Sequence, residues 1–308
     1  MTAFSGAGMF ASIRGRAVAV LAPVIIFALA ACSDGADKGA EWPPANPLFY
    51  EIASADGTVE GWMVGTIHAL PDGVSWKTDT IAEAIRSADV LVVEIAALED
   101  RGKTAATFAE LGTSPAQPPL ERRLPADMSA SLAALLDRGG IDPKRFVSTE
   151  TWAAAIMLAQ IDATGDPANG VDRALIRAFA ERPVRELEGA RAQLAIFDNL
   201  SEASQRKMLA AVIREAEAGR DDPARLQRAW LTGDAAVIEE ATRSGILSDP
   251  VLREALLTKR NRDWATAILP MLEAAPRPLI AVGTAHLVGA DGLASMLQAQ
   301  GYRVQRLP

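Results

Sequence analysis

The chain holds two histidines, and both close the same four-residue frame: Gly65-Thr66-Ile67-His68 and Gly283-Thr284-Ala285-His286. Each frame follows a short apolar run, Trp62-Met63-Val64 in one case and Leu279-Ile280-Ala281-Val282 in the other. A short apolar run ended by glycine reads as a buried strand that turns at its carboxyl end. A fold that uses both frames in one site must therefore bring two strand ends together from positions 68 and 286. Nothing else in the chain repeats, so the frames are not the trace of a duplicated domain.

The segments between the frames say what kind of sheet this is. Leu48–Ile52 and Glu60–Val64 flank Ser54-Ala55-Asp56-Gly57, whose Asp-Gly pair marks a tight turn and hence a β-hairpin. Thr80-x-x-Glu83 has the capping-box form and opens a helix over about 78–87. Val90–Val93 is continuously apolar, as in a strand covered on both faces, and it ends at Glu94. Helices are expected over 131–138, stopped by Gly139-Gly140, then over 151–161 and 171–181. Pro183–Leu187 reads as a strand ending at Glu188, and about 190–272 as several charged amphipathic helices. After the second frame come a helix over 293–300, stopped by Gly301, and a final strand over 302–307. Strands alternating with helices at both ends predict an α/β fold. We expect a three-layer arrangement with a mixed β-sheet flanked by helices, and a helical insertion at about 100–272.

The first 31 residues stand apart. Arg14 and Arg16 precede an uncharged run from Ala17 to Ala31 that is short for a bilayer span. Leu29-Ala30-Ala31 leads into Cys32, the only cysteine. This is the pattern of a lipoprotein signal peptide, with Cys32 as the lipidated first residue after cleavage. An ordinary secretory signal or an N-terminal anchor helix is the plainer alternative. Residues 32–47 read as a flexible tether to a single domain over 48–308. Ser33 after Cys32 favours the outer membrane, so the expected location is the cell envelope, lipid-anchored at the periplasmic face. Lipidation of Cys32 leaves no thiol for a disulfide or a thiolate metal site. The formal charge is −8, and it becomes more negative once Arg14 and Arg16 are removed. That balance argues against nucleic acid as a partner and leaves the lipid anchor as the only membrane contact.

His68, Glu94, Glu188 and His286 all fall at or just past expected strand ends, where open α/β sheets bind ligands. Each has an ordinary reading as well. A lone histidine near a turn is often a hydrogen-bonded structural group, and Glu188, beside Arg185 and Glu186, could be a rim charge. Asp172 reads as a helix N-cap, and Arg260-Asn261 as part of a solvated helix face. No Gly-x-Ser-x-Gly, His-Glu-x-x-His or P-loop pattern occurs, and Gly289-Ala290-Asp291-Gly292 lacks dinucleotide-loop spacing.

Taken in order, these residues resemble the TraB/PrgY/GumN family, which includes the Tiki metalloproteases. The resemblance runs from about Pro47 to Leu307. It is carried by Trp62–His68, Val92-Val93-Glu94-Ile95, Gly170-Val171-Asp172, Pro183–Glu188, Arg260-Asn261, Val282–Gly289 and Gly301-Tyr302. It implies a fold similar to erythromycin esterase and the haem-binding lipoprotein ChaN, with both Gly-x-x-His histidines and the glutamate after the strand in the active site. It also implies a divalent metal: manganese or cobalt as in Tiki members, with zinc equally suited to imidazole and carboxylate.

The first expectation is then metal-assisted hydrolysis of a peptide or other amide. His68, His286 and Glu94 would be the metal ligands, with Glu94 or Glu188 as acid or base. Arg260 would steady an oxyanion or a substrate carboxylate. A second expectation keeps the histidines and drops the metal, with one imidazole as general base. A third is a non-catalytic lipoprotein that captures a peptide signal or haem. The substrate class is a peptide or small molecule in every version, and the oligomeric state is open.

Overall fold

The computed structural model describes residues 42–308. The expected signal peptide, the lipidation site Cys32 and all but the last residues of the tether lie outside the described residues. Among the described residues no helix is long and apolar enough to cross a membrane.

Six strands form one mixed sheet. They are β1 (Phe49–Ala53), β2 (Val59–Thr66), β3 (Val90–Val93), β4 (Val184–Glu186), β5 (Pro278–Gly283) and β6 (Arg303–Arg306), in the order β4-β3-β5-β2-β1-β6. β1 pairs antiparallel with β2 and with β6, while β2, β5, β3 and β4 run parallel. The hairpin turn is the Asp56-Gly57 pair, where Gly57 takes φ +92°, a backbone region that a side chain disfavours.

The helices follow the alternation of the strands. In chain order they are α1 (Asp79–Ser87), α2 (Arg101–Leu111), α3 (Ser129–Gly139), α4 (Thr151–Ala159), α5 (Val171–Ala178) and α6 (Ala190–Asp198). Then come α7 (Glu202–Ala218), α8 (Arg225–Thr232), α9 (Ala235–Ala241), α10 (Pro250–Arg253), α11 (Lys259–Leu272) and α12 (Leu293–Ala299). Along β5, Leu279 and Ala281 point to one face, with Val64, Leu91, Val93 and the apolar sides of α1 and α5. Ile280 and Val282 point to the other, with Met63, Val92 and the apolar sides of α11 and α12. This period-two alternation on a doubly covered sheet makes the three layers. The insertion has its own core, in which Trp152 of α4 lies between Phe108 and Phe197 and packs with α7.

Two local expectations are corrected. The cap of α1 is Thr78, whose hydroxyl accepts from Ile81 N at 3.3 Å, so Thr80 is inside the helix rather than at its start. Gly170, not Asp172, is the N-cap of α5. Asp172 sits one residue inside the helix with its side chain buried, turned away from the capping position.

Candidate functional site at four strand ends

The parallel part of the sheet places the sequence-selected residues in a row. Thr66 pairs with Gly283 at the ends of β2 and β5, and Val93 pairs with Ala281 across β3 and β5. Pairing continues past β3, where Glu188 N and Gly189 N both donate to the carbonyl of Glu94, at 3.2 and 3.1 Å. His68, His286, Glu94 and Glu188 therefore leave the carboxyl ends of four consecutive parallel strands, the ligand-binding edge of such sheets. Gly65 permits the closest approach between the frames: a Cβ there would lie 2.5 Å from the Thr284 hydroxyl.

The two frames do different things. In the first, His68 Nδ1 donates to Asp172 Oδ2 at 2.8 Å, and the Thr66 hydroxyl donates to Asp172 Oδ1 at 2.6 Å. The start of α5 is pressed against the frame, with Val171 N donating to Ile67 O at 2.9 Å. A Cβ at Gly170 would fall 2.4 Å from His68 O, so only glycine allows this seating. His68 keeps 20% of its side chain exposed, and its Nε2 has no partner among the described residues. Burial works to lower the His68 pKa. The Asp172 carboxylate, by charge and by hydrogen bond, and Glu94 by charge outweigh it and hold the ring above the ordinary histidine value. Burial likewise works to raise the Asp172 pKa, but His68 and Thr66 keep it below the usual carboxylate value.

In the second frame the imidazole is sealed in. His286 is fully buried, 4.4 Å from the Trp264 ring. Asn261 Nδ2 donates to Asp291 O at 2.7 Å, which turns Asn261 Oδ1 towards His286 Nδ1, 2.5 Å away. Nδ1 therefore carries the proton and Nε2 is the acceptor, filled by Arg260 Nη1 at 3.0 Å. Burial, the Arg260 charge and the nearby His68 together push the His286 pKa well below the ordinary value, so this ring stays neutral.

Arg260 is the hub between the strand ends. It lies in the first turn of α11, after a π-helical turn over Glu254–Thr258, and is almost wholly buried rather than solvated. It donates to both oxygens of Glu188, at 2.7 and 2.8 Å, and to Glu94 Oε2 at 2.9 Å. Its ring-facing Nη1 also reaches Leu256 O at 3.1 Å. Glu94 is completed by Gln193 Nε2 at 3.0 Å and by Gly283 N at 2.7 Å. Glu94, Glu188, Arg260 and His286 thus form one ladder, and His68 with Asp172 form a separate pair beside it.

A divalent cation needs several free donors aimed at one point. His286 offers no free nitrogen, both Glu94 oxygens already accept, and a permanently charged guanidinium stands among them. Among the described residues no group of three or more His, Cys, Asp or Glu side chains is disposed to hold a metal ion. In this arrangement the donor set expected from the resemblance does not fit a metal, and no chemistry is derived through one.

Asp172, Asn261 and Gln193 also shape this geometry, though the sequence alone gives them no site role. Asp172 and Asn261 lie in the segments that carry the family resemblance, and that is the signal that points to them. Gln193, inside α6, carries no signal.

The model of the TraB/PrgY/gumN family matches residues 48–306. The chain is 27% identical over 268 residues to the uncharacterized protein YbaP of Escherichia coli K12, covering 83% of this chain and 96% of that one. YbaP of Shigella flexneri matches with the same identity and coverage. No solved structure matches the chain, so the likeness to erythromycin esterase and ChaN stays an expectation.

Proposed function

The chain belongs to the TraB/PrgY/gumN family, and from that premise we propose that it is an envelope-anchored hydrolase that cleaves an acyl bond with His68 as general base. The peptide or other amide bond expected from the sequence is kept as the substrate class. The observation that carries the reading is the His68–Asp172 pair, with Nδ1 held at 2.8 Å and Nε2 without a partner among the described residues, on a side chain that stays 20% exposed.

Such a pair does defined chemistry. His68 Nε2 takes a proton from water as the water oxygen bonds to the acyl carbon. Asp172, fixed by Thr66, holds the ring orientation and stabilises the imidazolium that forms. The imidazolium then returns the proton to the leaving nitrogen as the carbon–nitrogen bond breaks. General-base assistance of this kind is worth roughly 10²–10⁴-fold in rate. Arg260, Glu94 and Glu188 satisfy one another, so their part is to fix the strand ends and to hold His286 neutral behind the reacting pair. Neutral His286 adds no charge that would oppose protonation of His68.

The test is hydrolysis of a fluorogenic peptide and ester library by the intact protein and by His68→Ala and Asp172→Asn. The reading requires turnover by the parent and its loss in both variants. A parent that binds a peptide or haem tightly without turnover would instead support the capture reading.

A further inference from the structure

A second feature lies in the helical insertion and uses none of the strand-end residues. A cavity of about 690 Å³ opens between α7, the segment 123–125 and the segment 245–252. We propose that this cavity binds an amphiphilic carboxylate, a medium-chain fatty acid or a molecule of that chemistry.

The charge on the wall points to an anion. Arg123, Arg206, Lys207 and Arg214 line the cavity against one lining carboxylate, Asp249, in a chain whose formal charge is −8. Lys207 takes Asp249 at 2.7 Å, and Arg206 takes Glu202 at 2.7 Å. Arg123 is buried and spends its guanidinium on the carbonyls of Pro118, Thr149 and Phe146, with Glu202 and Glu150 close enough to act on it by charge but not hydrogen-bonded to it. Arg214 is exposed and has no carboxylate partner among the described residues. The neighbouring Glu215 does not supply one. Its Oε1 accepts from Ile246 N at 2.8 Å, and burial pushes its pKa up to about 7.

Apart from Ser248, the rest of the wall is apolar. Leu124, Pro125, Ala210, Ala211, Ile246 and Leu252 line it, so a ligand needs an apolar body as well as a negative head. Val251, between two lining residues, is one of only two large hydrophobic side chains left exposed among the described residues. A small inorganic anion would use the cations and leave the apolar lining wet. A neutral alkyl chain would do the reverse. A site of a few hundred cubic ångströms with apolar walls and a few placed polar groups is the usual form of a small-molecule pocket. A charge-assisted contact from Arg214 or Arg206 to a carboxylate would orient the head.

The test is calorimetric titration of the intact protein with decanoate, methyl decanoate and acetate, followed by photolabelling with a diazirine-bearing decanoate. Decanoate is expected to saturate one site, with labels on the 203–214 and 245–252 segments. The methyl ester is expected to bind about tenfold more weakly, and acetate not to saturate. Arg214→Gln, at an exposed position with no carboxylate partner among the described residues, should weaken decanoate about tenfold, and Arg206→Gln should do the same. Absence of saturable decanoate binding in the millimolar range would overturn the proposal. So would equal affinity for the ester, equal affinity for acetate, labels elsewhere, or no change in either variant. None of these outcomes depends on His68.

Discussion

The Nη1 of Arg260 lies 3.0 Å from Nε2 of His286, and so a guanidinium occupies the ring nitrogen that a metal would need. The same side chain clamps Glu188 with two hydrogen bonds and reaches Glu94 with a third. One arginine thereby joins the ends of β3, β4 and β5.

Removing that arginine should be costly to the fold. Arg260→Met leaves buried Glu94 and half-buried Glu188 without their cation, and breaking a buried pair this way costs about 3–5 kcal/mol. Arg260→Lys keeps the charge but loses the planar fork, and should recover only part of the loss. Urea unfolding of the two variants checks this. A loss below about 1 kcal/mol in Arg260→Met would contradict the buried ladder.

His68 sets a pH limb. Hydrolysis needs the neutral ring, and Asp172 holds the ring's pKa above 6.5 despite burial, so activity should rise through a midpoint above 6.5. Asp172→Asn removes the charge and should move that midpoint down while lowering the rate at least tenfold. The stability linkage has its own sign. A histidine whose folded pKa is raised contributes stability that is full below 6.5 and is lost as pH rises through the raised value. Activity and chemical-denaturation profiles of parent and Asp172→Asn read both effects.

His286 should behave oppositely. Its folded pKa is held well below 6.5, chiefly by burial. The unfolded chain therefore binds a proton that the folded chain refuses, and this stability contribution is lost as pH falls below about 6.5. Nitrogen-resolved NMR of the imidazoles should show His286 as the Nδ1–H tautomer with an unprotonated Nε2 throughout, while His68 titrates. Protonation of His286 near 6.5 would contradict its place against Arg260.

Glu215 gives a third, independent pH signature. Its folded pKa of about 7 lies above the ordinary 4.5, so the ionised folded state is penalised as pH rises through 7. Glu215→Gln keeps an acceptor for Ile246 N and removes the charge. Its melting temperature should match the parent near pH 5 and exceed it near pH 8. Equal melting temperatures at both pH values would contradict a buried carboxyl here.

Much of the sheet was readable because its strands are short apolar runs with a marked end. Val90–Val93 had nowhere to go but a doubly covered position, and the Asp56-Gly57 turn dictated an antiparallel neighbour for β2. The strand-end placement of His68, Glu94, Glu188 and His286 followed from the same runs. What the residues did with one another was not readable. Arg260 and Asn261 sit in a helix whose charged pattern reads as solvated, and only the packing of α11 over the β5 end buries them. Asp172 looked like a cap because local spacing carries no word of a partner 104 residues upstream. Thr80 matches a capping box by pattern, yet the Thr78 hydroxyl accepts from Ile81 N in the first turn and Thr78 takes the position.

The central claim is that His68, oriented by Asp172, serves an acyl hydrolysis that needs no metal. Its most direct test is the rate of library hydrolysis by intact protein after exhaustive chelation, with metal content measured on the same sample. The account predicts undiminished turnover at negligible metal content, abolished by His68→Ala. Activity that disappears on chelation and returns with stoichiometric manganese, cobalt or zinc would contradict it.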